Sequence, residues 1–217
     1  MSAPPSSIGV TPRPHHPTTP RTVTIAYQGA PGAFGEIAAL THLHTSDPRP
    51  MPTFEQVVES VVRGISDFGV IPVWNSVVGE IPWSRAAAAM EGVERVAQIE
   101  IPIRLALLAA PGTSLSMVSY VGSHPAALAQ CGRFLAARPE IVACPAWDTA
   151  GAARELGPEI GPKWYDRLPG ATRKSVAAIA SPATAGRYGL EVLVASVQDS
   201  VDAVTRFDLI APRGSTR

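Results

Sequence analysis

A short apolar segment of the sequence ends in two hydrogen-bonding side chains. Residues 67–76 read DFGVIPVWNS, so a strand of the buried type leads directly into Asn75 and Ser76, with the indole of Trp74 before them. In α/β proteins, ligands are held where the strands of the sheet end. An amide and a hydroxyl can both donate and accept hydrogen bonds there, so we interpret Asn75 and Ser76 as candidate ligand contacts.

A second pattern recurs in later segments, in which a polar residue follows a predicted strand and caps a predicted helix. The N-terminus of a helix has free backbone N–H groups and the positive end of the helix dipole, so such a position can bind an anion. Most caps of this kind only begin a helix, and by themselves they indicate no reaction. In order along the chain, Ser123 begins SHPAALAQCGRFLA, Asp148 or Thr149 begins DTAGAAREL, and Ser181 begins SPATAGRYGL.

The sequence lacks the common signatures of metal and nucleotide sites. The glycine-rich GAPGAFG has neither the order of a phosphate-binding P-loop nor that of a dinucleotide fingerprint. His42 and His44 are two residues apart in a predicted helix, where they would point to different faces. We therefore predict neither a metal nor a cofactor.

Strand-like and helix-like segments alternate along the chain. These elements must position the polar residues that follow the predicted strands. Thr53 and Gln56 form a capping box before the apolar-periodic VVESVVRGI. Residues 97–109 are predicted to be extended, and the alanine-rich segment 82–93 to be helical. The alternation predicts an α/β architecture. Its other predicted strands are TVTIAYQG, FGVIPV, MVSYVGS, VAAIAS, EVLVAS and TRFDLIA.

Composition excludes several classes of protein. The chain of 217 residues is 46% hydrophobic and 17% charged with a formal net charge of +0, which is typical of a globular domain and gives no electrostatic case for nucleic acid or a membrane surface. Two cysteines, Cys131 and Cys144, favour a cytoplasmic protein over a disulfide scaffold. Residues 1–21, rich in Pro, Ser and Thr, are predicted to be a disordered tail. No segment is long and apolar enough to predict a membrane span.

Several motifs in a fixed order resemble those of one enzyme family. GVIPVWNSVVGEI, VGSHPAALAQC and DAVTRFDLI are similar to the family strings G-V-x-P-x-E-N-S-x-x-G, S-H-P-x-A-L-x-Q-C and N-x-T-R-F. From about Val23 to Ile210 the chain thus resembles the catalytic domain of prephenate dehydratases. The resemblance implies a two-lobed α/β fold like that of type II periplasmic binding proteins, with the active site in the interlobe cleft. Lobe one is expected at about 22–103 plus 194–211, and lobe two at about 104–193. Since the chain stops at Arg217, no regulatory ACT domain is expected.

The resemblance also implies an activity and a set of residues. The expected reaction converts prephenate, or a close analogue, to phenylpyruvate, water and carbon dioxide without a cofactor, in a cytoplasmic homodimer or homotetramer of phenylalanine biosynthesis. Thr205 would assist departure of the ring hydroxyl, and His124 and Cys131 are interpreted as structural. Asn75 and Ser76 would join Thr205 in catalysis, and Ser123, Gln130, Thr149, Arg206 and Trp74 would bind the substrate.

Four positions depart from the family pattern. Trp74 stands where glutamate is usual, so we expect a less acidic and tighter pocket. The departures leave two alternatives open, a non-aromatising prephenate decarboxylase and a catalytically silent module that binds an aromatic acid. Thr205 favours dehydration, because a decarboxylase that keeps the ring hydroxyl has no use for a group that expels it. The other departures are Gly35, where a small hydroxyl residue is usual, Glu80, where serine or another small residue is common, and Ala203 in place of asparagine.

Overall fold

The strands form two sheets, each carrying helices, in a computed structural model that describes residues 22–44, 46–82, 87, 89–158 and 161–215. This arrangement confirms the predicted two-lobed α/β fold. The alanine-rich segment predicted to be helical includes 83–86 and 88, and these positions, like the predicted tail 1–21, lie outside the described residues. Within the described part of the chain, no helix has the length and apolar character needed to cross a membrane.

The first sheet combines N-terminal strands with the last strand of the chain. Its strand order is β2-β1-β3-β11-β5, and β4 pairs with β3. The long antiparallel strand β11 lies between β3 and β5, so it brings the C-terminal TRF motif beside the WNS motif. The elements of this lobe are β1 (Thr24–Gln28), α1 (Phe34–His42), β2 (Asp47–Met51), α2 (Phe54–Val62), β3 (Phe68–Asn75), β4 (Gly79–Glu80), β5 (Val93–Pro102) and β11 (Val204–Pro212).

Local sequence explains how α2 and β2 form. The Thr53 hydroxyl accepts a hydrogen bond from the Gln56 N–H at 3.3 Å, which confirms the predicted cap of α2. Three valines of α2, at positions 57, 58 and 61, are fully buried against the sheet. Strand β2 was not predicted, because Pro48 and Pro50 interrupt its sequence. It lies at the edge of the sheet, where alternate residues need no hydrogen-bond partner and proline is tolerated.

The second sheet has the strand order β10-β6-β9-β7-β8. Its central strand β9 is buried at every residue, as expected for a strand covered on both faces. Strand β8 was not predicted. The elements of this lobe are β6 (Ala106–Ala109), a 3₁₀ turn (Leu115–Met117), β7 (Tyr120–Ser123), α3 (Pro125–Ala129), α4 (Gly132–Ala136), β8 (Val142–Pro145), α5 (Thr149–Leu156), β9 (Val176–Ala180), α6 (Ala183–Tyr188) and β10 (Glu191–Val194).

The segment SHPAALAQCGRFLA differs from the prediction in two ways. It forms two short helices, α3 and α4, separated at Gln130 and Cys131 rather than one continuous helix. The N-cap of α3 is His124, whose Nδ1 accepts the Ala126 N–H at 3.2 Å, and not Ser123. Ser123 is the last residue of β7, and its hydroxyl donates to the Ile179 carbonyl at 2.6 Å instead. A buried hydroxyl satisfied by the sheet cannot also cap the helix.

Two crossing segments and several side chains join the lobes. The segments that lead out of β5 and into β11 are hydrogen-bonded to each other, with the Ile103 N–H donating to the Ala203 carbonyl at 2.7 Å. Elsewhere along the cleft, Glu36 pairs with Arg187 at 3.2 Å, and the Tyr188 hydroxyl donates to the Pro31 carbonyl at 2.5 Å. These contacts hold the two lobes together around the cleft.

Candidate active site

A cavity of about 370 Å³ lies between the lobes, a volume in the usual range for small-molecule sites. Most of its wall is apolar, and its polar side chains are few. From lobe one and the crossing segments it is lined by Gln28, Ala33, Phe34, Gly35, Phe54, Val70, Pro72, Asn75, Val78, Glu80, Ile81, Pro82, Ile103, Leu105, Thr205 and Phe207; from lobe two it is lined by His124, Ala126, Ala127, Gln130, Asp148 and Thr149.

Asn75 and Thr205 form a buried pair in the lobe-one wall. The Asn75 side-chain carbonyl accepts the N–H groups of Val77 and Val78 at 2.9 and 3.2 Å, which fixes the orientation of the amide. Its NH₂ group therefore points to Thr205 and donates to the hydroxyl oxygen at 2.8 Å. Because that oxygen accepts from Asn75, the threonine keeps its own proton to donate, and both residues line the cavity.

A β-bulge determines which residues of β3 face the cavity. Phe207 is opposite Pro72 and Arg206 is opposite Trp74, so Val73 is an extra residue in β3. Side chains alternate between the faces of a strand, and one extra residue reverses the alternation beyond it. Val70, Pro72 and Asn75 consequently share the cavity face, while Trp74 is turned to the other face.

The structure places Trp74 and Arg206 away from the cavity, so it gives no support to the prediction that they bind the substrate. They line a separate, polar depression of about 240 Å³ together with Arg95 and Asp208. The Arg206 guanidinium lies over the Trp74 ring, 4.3 Å from its centroid, and its Nε is 2.7 Å from a carboxylate oxygen of Glu100. The expectation of a tighter and less acidic pocket therefore has no basis in the position of Trp74.

The lobe-two wall presents hydrogen-bond acceptors. Asp148 is 8% exposed, and its Oδ2 accepts the Ala30 N–H from lobe one and the Gly151 N–H from the first turn of α5, both at 2.9 Å. Gln130 is 7% exposed, and its Nε2 donates to the Ala126 carbonyl at 3.0 Å. The Gln130 Oε1 is buried and has no hydrogen-bond partner among the residues that the structure describes.

Burial also shifts the pKa values of two side chains in this wall. Loss of water raises the pKa of Asp148 above its ordinary value, while the backbone N–H groups and the nearby His124 oppose the increase. Desolvation lowers the pKa of His124, a residue that lines the cavity and is also partly exposed to solvent. Among the described residues that line the cavity, none is lysine or arginine. No group of three His, Cys, Asp or Glu side chains within the described ranges lies together as metal ligands would.

The remaining predicted site residues differ in position. Gln130 and Thr149 line the cavity with Asn75 and Thr205. Ser123 is fully buried behind the wall, and its hydroxyl is bonded to Ile179, so the structure gives no support to its predicted contact with the substrate. Ser76 is exposed, and its hydroxyl accepts the Val204 N–H at 3.0 Å, which joins β3 to β11 beside the Asn75–Thr205 pair rather than lining the cavity.

The four residues that depart from the family pattern lie in different parts of the structure. Gly35 and Glu80 line the cavity, whereas Ala203 is buried in the core of the other lobe and Trp74 lies on the outer face. Gly35 packs against Tyr27, and a Cβ at that position would lie 3.1 Å from the Tyr27 Cβ. Close packing therefore accounts for glycine at this place.

Sequence reasoning missed Asp148 as a cavity residue. The sequence identified it only as one of two possible helix caps, and the cap is confirmed. Only the packing of the lobes shows that this cap also faces the cleft.

Comparison with known proteins identifies the family of this chain. The family model described as prephenate dehydratase matches residues 25–215. Arogenate dehydratase/prephenate dehydratase 6 of Arabidopsis thaliana is 35% identical over 95% of this chain and 46% of its own length. Arogenate dehydratase 1 of Petunia hybrida is 34% identical over 93% of this chain and 44% of its own. The chain therefore spans about half the length of the curated relatives it matches.

Two solved structures are similar to this chain over most of its length. The prephenate dehydratase of Arthrobacter aurescens, solved in complex with L-Phe, is 29% identical with a TM-score of 0.75, over 89% of this chain and 61% of that one. A protein described as a novel type of quorum quenching acylase, GqqA, is 30% identical with a TM-score of 0.72, over 89% of this chain and 65% of that one.

Proposed function

This chain belongs to the prephenate dehydratase family, and we propose that it is a lyase that removes the ring carboxylate and the ring hydroxyl of prephenate to give phenylpyruvate. The observation that carries the proposal is the Asn75–Thr205 pair, which offers one oriented O–H donor in the wall of an otherwise apolar cavity. Prephenate needs such a donor, because its hydroxyl is a poor leaving group.

The reaction requires little chemistry from the protein. The bond between the ring and its carboxylate breaks to release carbon dioxide, and its electron pair enters the ring. The bond from the opposite ring carbon to the hydroxyl breaks, hydroxide leaves with that bonding pair, and a proton converts it to water. Formation of the aromatic ring supplies the driving force. The protein has to orient the ring, exclude water and stabilise the departing oxygen.

Thr205 is assigned to the departing hydroxyl. A threonine hydroxyl is a weak acid, so it acts by donating a hydrogen bond and relaying a proton rather than by giving up its proton outright. Asn75 orients this donor through the bond to the Thr205 oxygen. The apolar neighbours Phe207 and Pro72 on the same face provide the surface against which a planar ring packs.

Arogenate, the amino-acid counterpart of prephenate, is a second candidate substrate. It carries an ammonium group in place of the keto oxygen and has the same ring. Relatives that match this chain are named arogenate dehydratases, and the buried carboxylate of Asp148 in the cavity wall suits an ammonium group.

The product identifies the function. The purified protein is incubated with prephenate and, separately, with arogenate at neutral pH, and the products are separated and identified by mass and ultraviolet spectrum against an enzyme-free blank. Phenylpyruvate or phenylalanine above the blank supports the proposal. A non-aromatic acid that has lost only carbon dioxide would make the chain a decarboxylase, and binding without turnover would favour the silent binding module.

Two properties stay predictions. The cytoplasmic location is a proposal from the family role, while the Arabidopsis relatives are named chloroplastic. The homodimer or homotetramer is a proposal too, and light scattering of the purified chain that gives the mass of a monomer would contradict it.

A further inference from the structure

We propose that Asp148 determines substrate specificity by binding the ammonium group of an amino-acid substrate, so that the cavity prefers arogenate to prephenate. The inference rests on the proposed function and assigns the choice between its two substrates to one residue. Three features of the cavity carry it.

The first feature is the separation of donor and acceptors across the cleft. Thr205, the hydroxyl donor, is in lobe one, and Asp148 and Gln130 are in lobe two. In both substrates the hydroxyl and the side chain are on opposite carbons of the ring. A ring whose hydroxyl meets Thr205 therefore extends its side chain toward the lobe-two wall, where the acceptors are.

The second feature is an unsatisfied acceptor in the same cavity wall as Asp148. Gln130 and His124 are tied to the same residue, since Gln130 donates to the Ala126 carbonyl and His124 accepts the Ala126 N–H. His124 in turn lies close enough to Asp148 to influence its charge. The buried Gln130 Oε1 thus belongs to the same wall, and it lacks a partner within the described part of the chain. A buried acceptor left without a donor is costly, so a ligand with N–H groups is favoured here.

The third feature is the charge of the wall. Prephenate brings two carboxylates and no positive group, so its side-chain carboxylate would approach Asp148 in an apolar cavity where like charges repel strongly. No lysine or arginine among the described lining residues offsets that repulsion. Arogenate keeps both carboxylates but carries an ammonium group in place of the keto oxygen, on the carbon next to the side-chain carboxylate, and the attraction of this group to Asp148 offsets the repulsion.

The geometry around Asp148 leaves room for this contact. Its Oδ2 accepts the two hydrogen bonds from Ala30 and Gly151. Gly29 lies beside the carboxylate, and a Cβ there would be 3.2 Å from each carboxylate oxygen. A side chain at position 29 would therefore crowd the carboxylate, and Thr149, the next residue after Asp148, offers a hydroxyl for the substrate carboxylate from the same wall.

The test is a specificity ratio. kcat/KM is measured for arogenate and for prephenate with the wild-type chain, Asp148→Asn and a control, Asp166→Asn, which changes an exposed aspartate in a turn away from the cavity. The amide oxygen introduced by Asp148→Asn still accepts the Ala30 and Gly151 N–H groups, so the fold is retained. We expect the wild type to prefer arogenate and Asp148→Asn to lower the arogenate-to-prephenate ratio by about ten-fold to a hundred-fold, the usual effect of a hydrogen bond to a charged group. The control should leave the ratio unchanged.

The outcomes separate the inference from the proposed function. A wild type that prefers prephenate, or a ratio that Asp148→Asn leaves unchanged, overturns the inference while the lyase activity stands. If neither substrate gives a product, the proposed function fails. Calorimetric binding of the two acids to the same three proteins then decides the role of Asp148, because equal affinities for both acids would overturn it and a preference for arogenate lost in Asp148→Asn would support it.

Discussion

The side-chain nitrogen of Asn75 lies 2.8 Å from the hydroxyl oxygen of Thr205, although the residues are 130 positions apart in the sequence. The central position of β11 beside β3 makes this contact possible, and the turn after β3 fixes the amide that donates. Each partner thereby acquires one role, with Asn75 orienting the hydroxyl and Thr205 presenting its proton to the cavity.

Replacement of Thr205 by valine removes this proton while keeping the shape of a β-branched residue. We expect kcat to fall about a hundred-fold or more, the usual effect of losing a positioned proton donor, with KM changed by less than about ten-fold. The measurement is steady-state turnover of the preferred substrate, with Thr41→Val, an exposed threonine of α1, as the matched control. Turnover within about three-fold of the wild type would remove Thr205 from the mechanism.

Replacement of Asn75 by aspartate reverses the hydrogen bond. The carboxylate still accepts the Val77 and Val78 N–H groups, but it cannot donate to Thr205 and instead accepts the threonine proton, drawing it away from the cavity. We expect kcat to fall by a factor similar to that of Thr205→Val, with partial recovery as the pH falls and the carboxyl is protonated. Near-normal activity at neutral pH would show that the orientation of Thr205 is unimportant.

The sequence predicted the fold well where local chemistry decides it. The Thr53 cap and the buried Val57 and Val61 of α2 are visible in the residues themselves, and they are confirmed. Ile65, which the sequence placed on the same face, lies beyond the end of the helix and is 65% exposed. Strand β2 was missed because Pro48 and Pro50 argue against a strand, and only its place at the sheet edge makes them acceptable.

The site was harder to predict because it depends on register and on packing between lobes. From simple alternation, Trp74 shares a face with Val70 and Pro72, and the bulge at Val73 reverses that assignment. Asp148 was identified as a cap, but its position in the cleft depends on a contact with Ala30 from 118 residues away. Neither effect leaves a local pattern in the sequence.

Trp74→Glu is expected to change activity little, because position 74 faces away from the cavity. A glutamate opposite Arg206 in the strand pair can replace the cation–π contact by an ion pair, so we expect kcat/KM within about three-fold of the wild type. Trp74→Ala removes the cation–π contact without replacing it and should lower the free energy of unfolding by about 1 kcal/mol, measured in urea. A ten-fold change in KM for Trp74→Glu with an unchanged Tm would instead place the indole in contact with the substrate.

Gly69→Ala is expected to destabilise lobe one. A Cβ at Gly69 would lie 2.8 Å from Val57 Cγ1, 3.0 Å from Ile210 Cγ1 and 3.1 Å from Val61 Cγ2, so the helix α2 would have to move from the sheet. Overpacking of this kind costs about 1–3 kcal/mol in the free energy of unfolding. Gly186→Ala is the control, since a Cβ there meets nothing within 4 Å and alanine is the better helix former in α6. Equal thermal stability of the two variants would contradict this account of the packing.

The acid side of the pH profile should report Asp148. Burial raises the pKa of its carboxyl above the ordinary value, so as the pH falls from neutral the group is protonated earlier than an exposed aspartate, and its attraction for an ammonium group is lost. Because the folded state holds this proton more tightly than the unfolded state, the neutral carboxyl favours folding, and this contribution to stability is lost as the pH rises through the folded pKa.

Loss of activity at low pH should therefore come from protonation of Asp148 in the folded protein, and not from unfolding caused by this group. We expect kcat/KM for arogenate to fall with a midpoint above the ordinary aspartate pKa, while Tm, measured in the same buffers, does not fall through any effect of this group. In Asp148→Asn the limb should disappear, and in Asp166→Asn it should remain. His124 and Tyr27 are the titratable side chains whose charges couple to Asp148. His124 loses its charge as the pH rises, whereas Asp148 loses its charge as the pH falls. His124→Gln should therefore leave the acid limb in place. Disappearance of the acid limb in that variant would assign the limb to the imidazole.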